Sequence, residues 1–388
     1  MVIKKLIAIS VVFALVAGAA FAVDIGGTVI AAVDVVNKQG GVDDVGLLVN
    51  GHKSRVRLEG SGEAEIGIGT IGGWLRYDLD RGAFNSWGPK EDGPMAAYGF
   101  YGKAWWQPIE QLRIQLGANP DGEFETSHIG RYGFYAQANE INALINEDGN
   151  WGSTSYDSGI FGGYSAFNFA LIITPMDGVS INVALPWNVT PTGTDKPAAA
   201  TFKQVFFQVN YAADFGSIHI TYQGKNEEFN ITSAAHAQMG KFFASAFLGS
   251  LVEGLQLEFG VGFGIAAKDA LKSPLGIALG VRYDVSEQFG VKLRSIFDIP
   301  MQSGEKVAVR VDVLPFYAIN ESVTAYFDAG IYLTGADKQF AFHFAPYVRI
   351  GSEWGPGFYA GLKIDNGGGV KDVDKVNFAI PVGIIAQF

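Results

Sequence analysis

The sequence predicts an all-β chain that folds as an antiparallel barrel and crosses a membrane with its strands. Three observations carry that reading: apolar residues recur at every second position along almost the whole chain, the alternating stretches are about ten residues or longer, and their connections switch between short turns and longer polar loops. Composition excludes the main rivals. The 388 residues are 48% hydrophobic and 17% charged, with 51 Gly, 29 Phe, 15 Tyr and no Cys. A disordered chain would hold fewer aromatics and more charge. A helical membrane protein would show repeated apolar runs of about 18 residues or more. Here the charge-free stretches are broken, as at Phe259 to Ala267 between Glu258 and Lys268. So much Gly and Phe with so little charge points to an apolar surface covered by something other than water.

Taken in order, residues 1–22 read as a secretory signal peptide. Lys4 and Lys5 form the positive start, Leu6 to Gly18 the apolar core, and Ala20-Phe21-Ala22 the cleavage site. Cleavage after Ala22 leaves one domain, 23–388, and removes two of the 28 Lys and Arg. Against 39 Asp and Glu the formal charge then changes from −11 to −13. An acidic exported chain is a poor partner for nucleic acid, and taken at face value the charge favours cations.

Polar loops are expected near 37–52, 81–95, 188–200, 224–234 and 366–375. Val56, Leu58, Ala64, Ile66 and Ile68 oppose Arg55, Arg57, Glu59, Glu63 and Glu65, the period of a strand with two unlike faces. Gly67 to Gly72 fits G-x-G-x-x-G, but no helix follows, so it reads as a glycine turn and not as a dinucleotide site. In 71–80, 95–107 and 236–249 the phase is blurred by Gly or by aromatics on both faces. The segment from Asn119 to Asp157 is the longest connection, and Ala138, Ile141, Leu144 and Ile145 share one face of a short helix. Thr174 to Gly178, Asp214-Phe215-Gly216, Ser286 to Gln288 and Ile319 to Glu321 are short turns. The clearest strands follow: Leu255 to Ile265, Leu275 to Tyr283, Val323 to Leu333 and Phe340 to Ile350. The count is about 18 strands, with 16 as the alternative; an even number leaves both ends on one side.

A soluble β-sandwich would also alternate, but its polar face would be crowded with Lys, Glu and Thr. Here that face is often Gly, Ala or Ser. Trp105, Trp106, Trp187, Tyr211, Tyr222, Tyr283, Trp354 and Phe358 gather near strand ends, where an interfacial girdle belongs.

The last strand, Phe378 to Phe388, carries apolar residues at every second position and stops on a terminal Phe. This resembles the C-terminal assembly signal of Gram-negative outer-membrane β-barrels, and the whole mature pattern resembles the general porin type. Pro381 departs from it and must lie where its missing N–H does no harm. The resemblance implies outer-membrane lipid around the barrel, recognition of the strand ending at Phe388 by barrel assembly machinery, a homotrimer, and a water-filled pore for small hydrophilic solutes and ions.

If the apolar face meets lipid, the other lines a lumen. The pore-lining candidates are Arg55, Arg57, Glu59, Glu63, Arg76, Asp78, Lys103, Arg113, Arg282, Arg294, Arg310, Asp312, Asp328 and Arg349. The resemblance implies that basic and acidic clusters on opposing walls make a transverse field; the plainer alternative is that each charge pairs with a cross-strand neighbour. It also implies that the long loop folds inward, placing Glu140, Glu147 and Asp148 at a constriction; the alternative is an outward cap or an extra hairpin built from Gly130 to Ala138. A sugar-specific channel would need a line of lumen aromatics, and Trp74, Tyr326, Tyr332 and Tyr347 are too scattered in sequence to show one.

No catalytic, cofactor or metal site is expected. His52, His128, His219, His236 and His343 show no zinc spacing, no G-x-S-x-G occurs, and Asp121-Gly122-Glu123 lacks the spaced ligands of a calcium loop. The function expected is a diffusion porin. The alternative is a plugged structural or adhesive surface barrel that binds partners through its outer loops.

Overall fold

A computed structural model describes residues 22–39, 42–48, 55–80, 98–118, 168–186, 201–224, 238–266, 274–301, 306–333, 340–351, 356–365 and 376–387. The strands β1 (Ala22–Gln39), β2 (Val42–Leu48), β3 (Arg55–Ile66), β4 (Gly69–Asp80), β5 (Tyr98–Ile109), β6 (Leu112–Ala118) and β7 (Asn168–Met176) open the chain. Next come β8 (Val179–Pro186), β9 (Phe206–Ala213), β10 (Gly216–Gly224), β11 (Gln238–Val252), β12 (Leu255–Ala266) and β13 (Leu275–Asp284). The chain closes with β14 (Phe289–Ile299), β15 (Ala308–Asn320), β16 (Val323–Leu333), β17 (Phe340–Gly351), β18 (Gly357–Gly361), β19 (Lys363–Asp365) and β20 (Asn377–Gln387).

All twenty segments belong to one antiparallel sheet that closes on itself through β1 and β20. β2 and β3 pair in turn with the two ends of β1 and share one place around the ring. β18 and β19 share another between β17 and β20. Eighteen places result, the larger of the two counts read from the sequence. Both described ends of the chain lie at the rim of the short turns, since Ala22 pairs with Glu63 beside the β3–β4 turn and Gln387 pairs with Thr28.

The turns follow from glycine where the backbone demands it. The Gly67–Gly72 run makes the β3–β4 turn: Gly69 has φ 108°, and a Cβ there would overlap the Gln107 carbonyl. The expected loop at 37–52 is corrected. Residues 42–48 are strand, held against 34–39 of β1 by a ladder whose register shifts between Asp34 and Val36, so hydrogen bonding overrides the polar composition of Val42-Asp43-Asp44. The segments 119–167 and 225–237 lie outside the described residues.

Pro381 falls where the ladder is already interrupted. It faces Asp34, beside a register shift between Asp34 and Val36 of β1. On its other side the β20 pairing passes from β18 to β19. A residue without an N–H therefore removes no regular ladder bond.

Burial shows which face is which. On β12, Phe259 is 48% exposed whereas Glu258 is 4%, and the same inversion runs from strand to strand. Leu75, Leu116, Phe169, Ile220, Leu279, Phe327, Phe344 and Ile384 are exposed outside, while charged and amide side chains are buried inside. An outer belt of this kind is stable only in an apolar solvent. Leu279→Arg, mid-strand on the outer face, should therefore lower folding stability in vesicles by about 2–4 kcal/mol. Tyr283→Arg, at the rim, should cost about 0–1 kcal/mol, both measured by urea titration of the heat-modifiable form.

Candidate functional site

The inner face of β13 to β19 carries a charged wall. Arg294 on β14 stands directly opposite Asp312 on β15 and donates from Nε at 3.0 Å and Nη2 at 2.8 Å to Asp312 Oδ2. Arg310, two residues from Asp312 and on the same face, donates from Nε to the same oxygen at 2.7 Å. All three side chains are at most 2% exposed. One carboxylate oxygen thus serves two guanidinium groups through charge-assisted bonds.

Gly330 on β16 makes room for this arrangement. It pairs with Asp312 on one side and His343 on the other, and a Cβ there would overlap both side chains. His343 Nε2 lies 3.1 Å from Asp328 Oδ1, His343 is in register with Asp365, and Lys363 Nζ lies 3.0 Å from Asp365 Oδ2. Arg282 donates to both oxygens of Asp284 at the rim.

Aromatic rings continue this wall. Tyr326 and Tyr347 stack at 4.7 Å with planes 11° apart, Phe316 lies 6.1 Å from Tyr326, and the Arg282 and Lys292 cations sit 5.4 and 5.8 Å from the Phe316 ring. Tyr326 and Tyr347, far apart in sequence, form with Phe316 a row of cross-strand neighbours around the wall on β15, β16 and β17. Trp74, on β4, is remote from them, and the side chain of Tyr332 lies outside the described residues.

The other wall is neutral. Asn182 Nδ2 donates to Gln208 Oε1 at 3.0 Å, and Gln208 Nε2 donates to Thr221 Oγ1 at 3.1 Å. Asn210 Nδ2 reaches both Ser180 Oγ and Gln208 Oε1, and His219 Nδ1 is 2.6 Å from Asn210 Oδ1. With that carbonyl as acceptor, the imidazole proton sits on Nδ1. β8 to β10 occupy the seventh to ninth of the eighteen places and β15 to β17 the fourteenth to sixteenth, so amides face charges across the ring.

The sequence-derived candidates fall as follows. Arg76, Arg294, Arg310, Asp312, Asp328 and Arg349 are buried on the inner face, with Glu59, Lys103, Arg113 and Arg282 half-buried there. Glu63 is exposed near the β3–β4 turn. Arg57 is in register with Asp78 and Arg55 with Asp80; the side chains of Arg55, Arg57 and Asp78, like residues Glu140, Glu147 and Asp148, lie outside the described residues. Carboxylates and cations intermingle on β12 to β19, whereas Arg76, Lys103 and Arg113 place three cations on β4 to β6. The buried charged groups are Arg76, Lys241, Lys292, Arg294, Arg310, Arg349 and Lys363 against Glu258, Asp312, Asp328 and Asp365. That balance leans basic, so the chain's acidic total does not describe the wall.

Trp105 corrects the girdle. It turns inward, with its ring over Gly72 and the Arg113 guanidinium 5.3 Å from it, because it stands in register with Gly72 and Gln115. Its neighbour Trp106 points outward and donates from Nε1 to the Ile68 carbonyl at 3.0 Å. Tyr211, Tyr283 and Phe358 are also exposed outside, near the short turns; Trp187 and Trp354 lie outside the described residues. The amide network is the feature that sequence reasoning missed. Its signal is the inward phase shared by Asn182, Gln208, Asn210 and Thr221.

No family model matches the sequence, and no curated protein matches it. Solved structures do. OmpF of Salmonella typhi, solved in complex with daunomycin, aligns over 94% of this chain and 97% of its own at 11% identity, with a TM-score of 0.55. The outer membrane protein OpdK of Pseudomonas aeruginosa aligns over 94% and 98% at 9% identity, with a TM-score of 0.55. The chain is thus a closed antiparallel barrel of the inside-out kind. More particularly, its fold is the porin-type outer-membrane β-barrel.

The two kinds of ion pair should differ in mutational cost. Asp312→Ala strips two buried guanidinium groups of their shared carboxylate and should destabilise the folded protein by about 3–5 kcal/mol. Asp284→Ala removes a half-exposed partner and should cost about 0–1 kcal/mol. Both are read from urea midpoints and slopes of the refolded barrel.

Proposed function

We propose that the protein is a porin-type channel of a bacterial outer membrane that lets small hydrophilic solutes and ions diffuse across. The observation that carries this reading is the closed ring with exposed large apolar residues outside and charged and amide side chains inside. Such a wall has no use in a protein that needs only a packed core, since burying these groups costs free energy that Leu or Val would not. Lipid of the outer membrane would cover the exposed belt. The long charged side chains of β14 to β19 would then bind, orient and exclude solutes by hydrogen bonding and field. On the same reading, residues 1–22 are removed on export, and the strand ending at Phe388 is presented to the assembly machinery. The barrel works as a homotrimer, and it performs no catalysis.

One observation favours the second reading, a plugged structural or adhesive barrel. Arg294, Asp328, Gln208 and Thr221 are at most 1% exposed, so the wall is shielded from solvent around much of its circumference. Planar-bilayer recordings of the purified mature protein separate the two. The channel reading expects stable conductance steps, with permeation of neutral sugars lost above a size cutoff. Folded, heat-modifiable protein that gives no steps would put the plugged barrel first.

A further inference from the structure

The amide wall has more hydrogen-bonding capacity than the barrel uses. Within it Gln208 and Thr221 are 0% exposed, Ser245 2%, His219 3% and Asn182 4%. Asn182 Oδ1 and Ser245 Oγ, both fully shielded, take part in no hydrogen bond. An unsatisfied buried polar atom costs about 1–3 kcal/mol, and the chain bears it twice in one patch. Small apolar residues would close the same wall, as Ala170 and Ala278 do elsewhere on the inner face. Along the strands the patch is bounded by two phenyl rings: Phe206 lies two residues before Gln208, and Phe243 is in register with Thr221.

We propose that this panel on β8 to β11 is a binding station for neutral polyhydroxylated solutes, of which sugars are the type; the inference rests on the channel reading above. An amide offers a donor and an acceptor side by side, which suits a hydroxyl that is both. The phenyl rings offer apolar surface to the C–H faces of a sugar ring. A charged solute gains less there: Asn182, Ser180, Gln208, Asn210, Thr221 and Ser245 carry no charge to pair with it, and the Lys241 cation stands at the edge of the panel, 5.6 Å from the Phe243 ring.

The test is single-channel current of the full mature protein with maltotriose, compared with polyethylene glycol of the same hydrodynamic radius. Maltotriose should half-block the current at about 1–10 mM, where the polymer acts only through viscosity. The double variant Asn182→Leu, Gln208→Leu should raise that concentration about tenfold. If that variant does not fold, the wild-type comparison of sugar and polymer decides alone. Steps that sugar and polymer reduce equally would overturn the binding station and leave the channel standing. Tighter block by triglycine than by maltotriose would overturn the ligand class in favour of peptides. No steps at all would overturn the channel reading, and the station with it.

Discussion

Every part of this structure depends on one requirement: backbone N–H and C=O groups facing lipid have no water to bond, so the sheet must leave no open edge. The β1–β20 ladder meets it, with partners running from Thr28 and Gln387 to Lys38 and Phe378. Three irregularities of this seam lie together. Pro381, the Asp34/Val36 register shift and the handover from β18 to β19 adjoin one another, so one defect in the ladder accommodates all three. A proline placed elsewhere on β20 would orphan a carbonyl that nothing else could satisfy.

Once the outside is committed to apolar residues, the period of two commits the inside to whatever is left. That leftover set is not uniform. On β13 to β19 it is charged and internally compensated: Asp312 holds Arg294 and Arg310 together, Asp365 holds Lys363, and the absent side chain of Gly330 gives Asp312 and His343 their space. On β8 to β10 it is neutral and laced by amide bonds. A solute crossing the ring would meet charges along β13 to β19 and hydrogen-bond donors and acceptors along β8 to β10.

The sequence announced the architecture because alternation survives any error in strand boundaries. Leu255 to Ile265 and Phe340 to Ile350 show their faces without reference to a partner. What it hid depends on pairing. Whether Trp105 or Trp106 points inward depends on a register shared with Gly72 and Gln115. The stacking of Tyr326 and Tyr347 joins residues 21 positions apart that only a ladder makes adjacent. Val42-Asp43-Asp44 reads as a loop by composition, yet its backbone bonds to β1 decide otherwise. Asn182, Gln208 and Thr221 look unremarkable singly, and only the sheet assembles them into a network.

The central claim is that alternate residues of one strand face lipid and lumen. The chain has no cysteine, so single cysteines introduced one at a time from 256 to 263 on β12 can each carry a fluorophore in the folded barrel. Nitroxide-bearing lipids should quench the probe at 257, 259, 261 and 263 and spare it at 256, 258, 260 and 262. Quenching without that alternation, or in the opposite phase, would contradict the account.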